Sequence, residues 1–454
     1  MSSISSLPNL LQLREIYPQS GNRELRSAIQ SSIQTRVWEN IFNNRFSTYE
    51  FNLGPWVSIK QHRQYIAIMK RVHVGQQYKV LVYDFAARKT IMDVLTTDSD
   101  DYTFKISLSD SGAGCIRNIQ DIMREIKGIY LFSHGEIRKK IDIKSTFGMK
   151  IKFFNIVNDT YFAVGVKKSS PPIVFILDLE GSVIRQIEIP EFTDWNLCKP
   201  VFNKDFYVLV GLGKNSEGKL FAKAFVLDLQ TGQRKIWTLE ESNEGEDDIL
   251  IGHGKVIHGN AFFYACQHLK RTPRVIINPK ITELNLTTGK ERKEYPITDC
   301  DVKSLVANDE CIIYSRKDTN DGITIIHRRR QAHSFTIPYP IWGSSYQKLD
   351  FNFFDRYVHI CTRHSSVIML DLSEKKIVKQ RTIPGWTRIS LENYNLVIIN
   401  FKNDKITVRD YLKPVFERDV FSSGSFDLRA TPETDSESGS YSESETDSDS
   451  ESGE

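Results

Sequence analysis

The sequence has no long apolar run and no paired cysteines. No stretch reaches the roughly 18 consecutive apolar residues that a membrane-spanning helix requires. The opening residues MSSISSLPNLLQLRE also lack the basic start and apolar middle of a signal peptide. The six cysteines are scattered without a C-x-x-C pair, a pattern that disfavours disulfides and zinc ligation. We therefore expect reduced thiols, a cytoplasmic or nuclear location, and no membrane span.

Motifs typical of catalysis or cofactor binding are missing as well. The sequence contains no Gly-rich phosphate loop, no His-Glu-x-x-His, no G-x-S-x-G and no Cys/His spacing suited to a metal. His253 and His258 flank a Gly-rich bend, but no Cys or acidic pair accompanies them at metal spacing. Residues distant in the chain could still assemble a site, so the lack of local motifs is not proof by itself. A catalytic function must be argued from specific residues, and none is indicated here. The sequence predicts a protein that is not an enzyme and holds no cofactor and no metal.

Charge is distributed unevenly along the chain. The formal net charge is +3 at pH 7, yet residues 433–454 hold nine acidic residues and no Lys or Arg, which leaves +12 on residues 1–432. The end of the chain alternates Ser with acid and has no aliphatic residues, so we expect residues 422–454 to be disordered. Six hydroxyl residues precede an acid by three positions and resemble acidophilic kinase sites: Thr434, Ser440, Ser442, Ser444, Thr446 and Ser448. This tail is either an electrostatic element that folds back on the basic body or binds a basic partner, or a solubilising extension.

A short pattern recurs along the middle of the chain. It consists of an apolar β run, a polar or acidic residue, a turn and a second β run, with clear copies at residues 173–189 and 224–239. The copies centre on Asp84, Ser133, Asp178, Asp228, Asn285, His327, Asp371 and Asp410. A spacing of roughly 40–50 residues with several strands per unit is typical of propeller blades. We interpret the acidic positions as residues that hold turns and do not perform chemistry.

Each hairpin follows two further predicted strands. The nearer one is almost wholly apolar, as at residues 65–69 and 161–166, which is typical of strands buried on both faces. The other is weaker, as at residues 104–109. Four strands per unit predict an all-β protein, a β-propeller of about eight four-stranded blades over residues 46–421. Seven blades is the alternative if the Ser133 unit is not a true blade. The pattern resembles WD-repeat propellers but lacks their Gly-His and Trp-Asp dipeptides.

The predicted topology sorts the loops onto two faces. In a blade whose strands are named a to d, the a–b and c–d turns share one face, and the b–c and d–a loops share the other. Long segments gather on the second face, which we name the b–c/d–a face: residues 70–79, 96–101, 213–223, 240–248 and 268–280. Insertions on one face of a repeat array mark a binding face. We therefore expect a protein partner on the b–c/d–a face.

Two groups of residues on this face are candidates for partner binding. Ile-Pro links carry Trp195, Trp342 and Trp386, which either grip a peptide or fill gaps between blades. The basic cluster comprises Lys270, Arg271 and Arg274 and suits an acidic partner, either the neighbouring segment 240–248 or the tail. Two more basic clusters, at residues 138–140 and 328–330, are expected at solvated c–d turns. Because the clusters divide between opposite faces, a nucleic-acid partner is not expected.

Residues 1–45 differ from the repeats, because their apolar residues recur at helical spacing and predict two short amphipathic helices. Leu7-Pro8 followed by spaced Leu and Ile, a break at residues 18–21 and a helix carrying Trp38 resemble an F-box. The resemblance implies docking on a Skp-type adaptor and a role as substrate receptor of a cullin ubiquitin ligase. It implies these contact residues: Leu7, Pro8, Leu11, Ile16, Leu25, Ile29, Ile33 and Trp38. The alternative is a helical pair packed on the propeller of a stand-alone scaffold subunit in a larger complex, with association of that complex with nucleic acid as one version of this alternative.

Overall fold

The structure, a computed structural model, describes residue 40 and residues 47–426 with gaps. The gaps are residues 53–55, 63–64, 72–76, 85–88, 98–101, 121–124, 134, 194, 215–217, 243–246, 271–274, 291, 298–301, 317–322, 329–333, 338–349, 355–356, 362–365, 383–386, 393–394, 401–404 and 411–424. Nearly all of the described elements are strands, as the repeat predicts.

The described strands form eight sheets, numbered here in chain order. Strand β1 is Ser47–Asn52. Sheet 1 holds β2 (Trp56–His62), β3 (Tyr65–Arg71), β4 (Gln77–Asp84) and β5 (Lys89–Thr97). Sheet 2 holds β6 (Tyr102–Leu108), β7 (Gly114–Gln120), β8 (Glu125–Ser133) and β9 (Glu136–Asp142). Helix α1 (Ile143–Phe147) follows it. Sheet 3 holds β10 (Lys150–Val157), β11 (Thr160–Val166), β12 (Ile173–Leu177) and β13 (Val183–Glu188). The Ser133 unit therefore contributes strands to a four-stranded sheet.

The second half of the chain repeats the arrangement. A 3-10 turn (Pro190–Phe192) leads into sheet 4, which holds β14 (Asn196–Leu197), β15 (Val201–Phe202), β16 (Phe206–Lys214), β17 (Leu220–Asp228) and β18 (Arg234–Glu241). Sheet 5 holds β19 (Asp247–His258), β20 (Ala261–Lys270), β21 (Val275–Asn285) and β22 (Arg292–Pro296). Sheet 6 holds β23 (Val302–Ala307), β24 (Cys311–Arg316), β25 (Ile323–His327) and β26 (Ser334–Ile337). Sheet 7 holds β27 (Asp350–Phe354), β28 (Tyr357–Cys361), β29 (Ser366–Asp371) and β30 (Lys376–Thr382). Sheet 8 holds β31 (Thr387–Glu392), β32 (Asn395–Asn400), β33 (Lys405–Asp410), β1 and β34 (Ser425–Phe426).

The polar residues at the c–d turns close the hairpins, as the sequence predicts. Asp228 Oδ1 accepts hydrogen bonds of 2.9 Å from the backbone N–H groups of Gln230 and Thr231. These bonds, the one from Thr231 first, lower the pKa of the Asp228 carboxyl. The same turn chemistry recurs at Asp178, Asn285 and Asp371. The repeated polar residue is therefore a structural element of these four turns.

The hydrophobic core lies between consecutive sheets. One buried cluster joins sheets 3 and 4 and includes Phe162, Val174, Tyr207 and Phe225. Equivalent clusters join sheets 1 and 2, 2 and 3, 4 and 5, 5 and 6, and 6 and 7. Strand contacts join sheet 7 to sheet 8 and sheet 8 to sheet 1. The b strands supply many of the buried side chains, which explains their nearly continuous apolar sequence.

The last sheet combines both ends of the described chain. β1 pairs antiparallel with β33 over six residue pairs, from Ser47 opposite Asp410 to Asn52 opposite Lys405. β1 thus takes the d position of sheet 8, a pairing that the sequence did not reveal. β34 pairs parallel with β1 through Ser425 and therefore lies beyond residue 421, the predicted end of the propeller. The register places Ser47 at the a–b/c–d face and the end of β34 near the b–c/d–a face.

Several segments predicted as long loops are strand extensions. β20 and β21 pair as far as Lys270 opposite Val275, so the predicted loop 268–280 narrows to residues 271–274. β18 ends at Glu241 and β19 begins at Asp247, so both ends of the segment 240–248 belong to strands. The prediction of a long loop at 268–280 was wrong, because pairing along the sheet overrides the local turn signal of its Pro and basic residues.

Candidate functional site

The a–b turns on one face are joined from sheet to sheet by side-chain hydrogen bonds. Five successive bridges connect sheets 1 to 6: His62 Nε2 with Asp110 Oδ1 (2.7 Å), Ser111 Oγ to Asp159 Oδ1 (2.6 Å), Asn158 Nδ2 to the Lys204 carbonyl (2.6 Å), Asn203 Nδ2 to the Gly259 carbonyl (2.9 Å), and His258 Nε2 with Asp309 Oδ1 (3.2 Å). The turns are short, and at Asn158 and Asp159 both residues have the positive φ of a two-residue hairpin turn. This face is therefore occupied by structural contacts.

Basic residues of the d strands hold the neighbouring c–d turns. Lys139 Nζ donates to the Gly181 carbonyl (3.1 Å) and Arg185 Nη1 donates to the Gly232 carbonyl (3.1 Å). In the same way, Lys235 Nζ donates to the Thr287 carbonyl in the c–d turn of sheet 5, at 2.7 Å. Lys139 belongs to the cluster 138–140, which the sequence placed at a solvated turn. In the structure this lysine joins two sheets, because its side chain reaches a carbonyl of the sheet that follows.

A buried carboxylate network lies between sheets 4 and 5. Glu240 is 5 % exposed, and five groups surround it: Tyr264 OH (3.2 Å), Cys266 Sγ (3.3 Å), Lys280 Nζ (3.4 Å), His268 Nε2 (3.5 Å) and the Arg292 guanidinium. Burial alone raises the pKa of Glu240. The hydrogen bond from His268 and the charges of Arg292 and Lys280 outweigh burial and lower the pKa to about 2. Glu240 is therefore ionised and structural, and it is not a solvated loop residue.

A second network joins sheets 5 and 6. Arg328 approaches Glu283 with Nη2 at 2.5 Å and Nε at 3.3 Å, and Tyr295 OH donates to the same carboxylate at 2.6 Å. The guanidinium also donates to the Asn308 carbonyl and lies 5.1 Å from the centre of the Phe263 ring. The expectation that Arg328 sits in a solvated turn was wrong, because its guanidinium compensates a carboxylate that the fold buries.

An aromatic and basic patch lies at the b–c/d–a end of sheet 4. We name it the sheet 4 patch and define it as Trp195, Phe221 and Lys223. The Trp195 ring stacks on Phe192 at 5.3 Å between centroids, and Lys223 Nζ lies 5.3 Å from the Trp195 ring and 5.6 Å from Phe221. All three patch residues are partly exposed. Their arrangement can hold a peptide side chain against an aromatic surface flanked by one positive charge.

Close packing fixes the position of Trp195. A Cβ atom at Gly213 would lie 2.2 Å from the ring, so only glycine leaves room for the indole there. Trp195 also packs against the cluster between sheets 3 and 4. Trp195 thus fills part of the gap between sheets 3 and 4 and remains partly exposed, and its role in holding a peptide stays a prediction.

The longest described strands extend toward the same face. β19, β20 and β21 of sheet 5 have 12, 10 and 11 residues, whereas β24 and β25 of sheet 6 have 6 and 5. Asp247 is the register partner of Lys270, so the acidic segment 240–248 and the start of the basic cluster lie on adjacent strands. This placement favours the neighbouring segment as an acidic partner of the cluster.

Most of the other predicted site residues lie outside the described residues. These are Arg271, Arg274, Trp342, Trp386, the F-box-like residues of segment 1–45 and the six tail hydroxyls. The networks at Glu240 and Glu283 escaped prediction, because their members are separated by up to 52 positions and share no local motif.

The part of the chain that the structure describes contains no group of three His, Cys, Asp or Glu side chains able to hold a metal ion. Within the same residues, no helix has the length and apolar character needed to cross a membrane. Free thiols at Cys115, Cys266 and Cys311 are buried, and Cys198 is half-buried. Burial raises the pKa of Cys115 to about 11 and that of Cys311 to about 12, which makes both thiols unreactive at neutral pH.

Comparison with known proteins identifies the fold and not the family. No family model matches the chain, and no curated protein matches it. The propeller of Dos1 has 9% identity and a TM-score of 0.52, with 82% of this chain and 97% of that chain covered. BamB from Moraxella catarrhalis has 14% identity and a TM-score of 0.46, with 81% and 99% covered. The beta-propeller domain of Cps50 (Swd1) from Myceliophteria thermophila has 9% identity and a TM-score of 0.41, with 81% and 99% covered. The resemblance to WD-repeat and F-box proteins stays a prediction, whereas the fold is established: the chain folds as a β-propeller.

Proposed function

We propose that the chain is a non-catalytic propeller that binds a partner protein on its b–c/d–a face. The observation that carries this proposal is the difference between the two faces. The a–b turns of six sheets are joined by five side-chain bridges, which pair one polar group of each turn with its neighbour. The opposite face carries the extended strands of sheets 4 and 5 and the partly exposed sheet 4 patch. Partly exposed aromatic residues on a rigid scaffold are typical of binding hot spots.

The chemistry of the patch indicates the kind of partner. Trp195 offers an indole surface, and Lys223 places an ammonium group 5.3 Å from it. An apolar side chain next to an acidic residue would satisfy both groups. The carboxylate would meet Lys223 while the apolar side chain covers the indole. The proposed partner is therefore a protein that presents an apolar and acidic segment.

A receptor role in a ubiquitin ligase is the sharper form of this proposal. β1 begins at Ser47, opposite Asp410, and this register attaches residues 1–45 at the a–b/c–d face. A module attached there would lie across the propeller from the proposed partner face. This separation supports a receptor that holds an adaptor at one side and a substrate at the other. The scaffold alternative needs no such adaptor.

The partner face is tested with a charge reversal in the patch. The full-length chain is used to isolate bound proteins, and the affinity of a purified binder is then measured for wild type and for Lys223→Glu. Lys204→Glu is the matched control, because Lys204 is exposed at the a–b turn of the same sheet. We expect Lys223→Glu to weaken binding about tenfold, the effect of one interfacial charge, and the control to leave it unchanged. Equal losses in both variants, or a loss in the control alone, would refute the choice of face.

The adaptor is tested in the full-length chain with substitutions in the first residues. Leu7→Ala combined with Leu11→Ala should abolish binding of a purified Skp-type adaptor. Leu10→Ala combined with Leu13→Ala is the matched control and should retain it. A wild-type chain that binds no adaptor would remove the ligase role and leave the scaffold proposal standing.

A further inference from the structure

The a strands line the inside of the propeller. In each sheet the a strand lies at one end of the strand order, and in sheet 4 this position is shared by β14 and β15. The edge of the a strand that faces away from the b strand therefore pairs with no described strand of the sheet. Contacts join the a strands of sheets 1 and 2, 2 and 3, 4 and 5, 5 and 6, 7 and 8, and 8 and 1. Lys152 Nζ donates to Asn196 Oδ1 at 3.3 Å and joins sheets 3 and 4 in the same way. We name this ring of a strands the inner wall.

Lysine recurs in the inner wall. The a strands of sheets 1, 2, 3, 5 and 6 each contain at least one lysine, and in sheet 4 a lysine lies between β14 and β15. The lysines, one from each sheet, are Lys60, Lys105, Lys152, Lys199, Lys255 and Lys303. Acidic residues occur in only one of these strands, at the first two positions of β19. The wall of six consecutive sheets is therefore strongly basic.

Four of these lysines are exposed: Lys60, Lys105, Lys152 and Lys199. Among the described residues no acidic side chain pairs with Lys60, Lys105 or Lys152. Although Lys152 is exposed as a whole residue, partial desolvation of its amine lowers the pKa of that group, and burial also lowers the pKa of Lys255. The positive charge is therefore disfavoured at these positions, and a bound anion would relieve that cost. Like charges brought together around one axis create a field that attracts a polyanion.

The tail has the charge, the attachment point and the length to reach this wall. It carries nine acidic residues without a single Lys or Arg. Phe426 ends β34 near the b–c/d–a face, opposite Phe51 of β1. Four strand spacings of about 4.8 Å separate β34 from the inner edge of sheet 8, or about 19 Å. A flexible segment as long as residues 427–454 has a mean end-to-end distance of about 30 Å.

We propose that the acidic tail, residues 433–454, docks in cis on the lysines of the inner wall and competes there with acidic partners. The tether keeps the tail at a high effective concentration near the wall, so modest contacts suffice. Phosphates at the six tail hydroxyls add negative charge and strengthen the docking. This docking is separate from the proposed partner face, and either proposal can fail alone.

Zero-length crosslinking tests the docking in the full-length chain. A carbodiimide joins lysine amines directly to carboxylates, and trypsin leaves the acidic tail as one peptide because it contains no Lys or Arg after Arg429. We expect the tail peptide to be joined to Lys60, Lys105 or Lys152. The matched controls lie outside the wall and are exposed: Lys144, Lys290 and Lys293. Crosslinks distributed equally over both sets, or found only on the controls, would overturn the proposal.

A mixture of isotope-labelled and unlabelled chains shows whether the contact lies within one chain. We expect crosslinked peptides to be uniformly labelled or uniformly unlabelled. Mixed pairs in the proportion of random association would show a contact between copies and would overturn docking in cis.

Competition gives an independent measurement. A full-length variant with the nine tail acids replaced by their amides should bind a fluorescent polyglutamate peptide at least tenfold more tightly than wild type at low salt. Adding Lys60→Ala, Lys105→Ala and Lys152→Ala to this variant should return the affinity to the wild-type value. The corresponding alanine substitutions at the three control lysines should retain the tight binding. Equal affinity of wild type and the amide variant would refute competition by the tail.

Discussion

Replacing Glu240 with glutamine should make the stability of the protein less dependent on pH. The pKa of this carboxyl is about 2 in the folded chain, against 4.5 for an unperturbed Glu. Because the folded value is the lower one, the ionised carboxylate stabilises the fold above pH 4.5, and this contribution is lost as the pH falls toward 2. The difference corresponds to about 3 kcal/mol at pH 7. At pH 3 only about 1.4 kcal/mol of it remains.

The measurement compares urea unfolding of wild type and Glu240→Gln between pH 7 and pH 3. We expect the stability gap between the two proteins to shrink by about 2 kcal/mol over this range. Glu294→Gln is the control, since Glu294 meets the same Lys280 and Arg292 side chains but is 47 % exposed. Its gap should stay within about 0.5 kcal/mol at every pH, as for an exposed ion pair. A gap for Glu240→Gln that does not change with pH would refute the assignment of a buried, ionised carboxylate.

Three further predictions concern packing and turns. Arg328→Ala should lower the free energy of unfolding by about 3 kcal/mol, because it leaves the Glu283 carboxylate buried without its cation, and Arg328→Met with Glu283→Leu should recover much of that loss in the same urea titration. Gly213→Ala should lower the melting temperature, and Trp195→Ala in the same chain should relieve the clash; a single variant as stable as wild type would contradict the close contact. Asp228→Ala should cost about 1 kcal/mol by urea titration and Asp228→Asn less, since the amide oxygen still accepts the turn hydrogen bonds.

The repeat and the propeller were predictable because their signals are local. The b strands are buried on both faces, which produces apolar runs such as residues 261–266, and the turn residues leave a polar position in each copy. The position of β1 in sheet 8 was not predictable, because its partner β33 lies more than 350 positions away and the sequence STYEFN contains no signal of this pairing. The partners of Arg328 and Glu240 escaped for the same reason, since an ion pair between sheets leaves no spacing in the sequence.

The two faces show what residue chemistry predicted and what required the fold. Loop length suggested that the b–c/d–a face binds a partner, and the structure places Trp195 at that end of sheet 4. Its contact with Lys223 depends on strand register, which the sequence does not encode locally. The bridges between a–b turns use ordinary turn residues such as Asn158 and Asn203, and only the positions of adjacent sheets make them partners.

The construction of sheet 8 from both ends of the chain has a consequence during protein synthesis. β1 leaves the ribosome early, but its partner β33 ends at Asp410, more than 350 residues later. At about 5–20 residues per second, β1 waits roughly 20 to 70 s for that partner. Throughout this interval the nascent chain carries a strand edge without its native neighbour, which is the kind of edge that pairs with other chains. Sheet 8 can therefore be completed only after β33 has been made, and until then the growing polypeptide carries an edge to which other chains can pair.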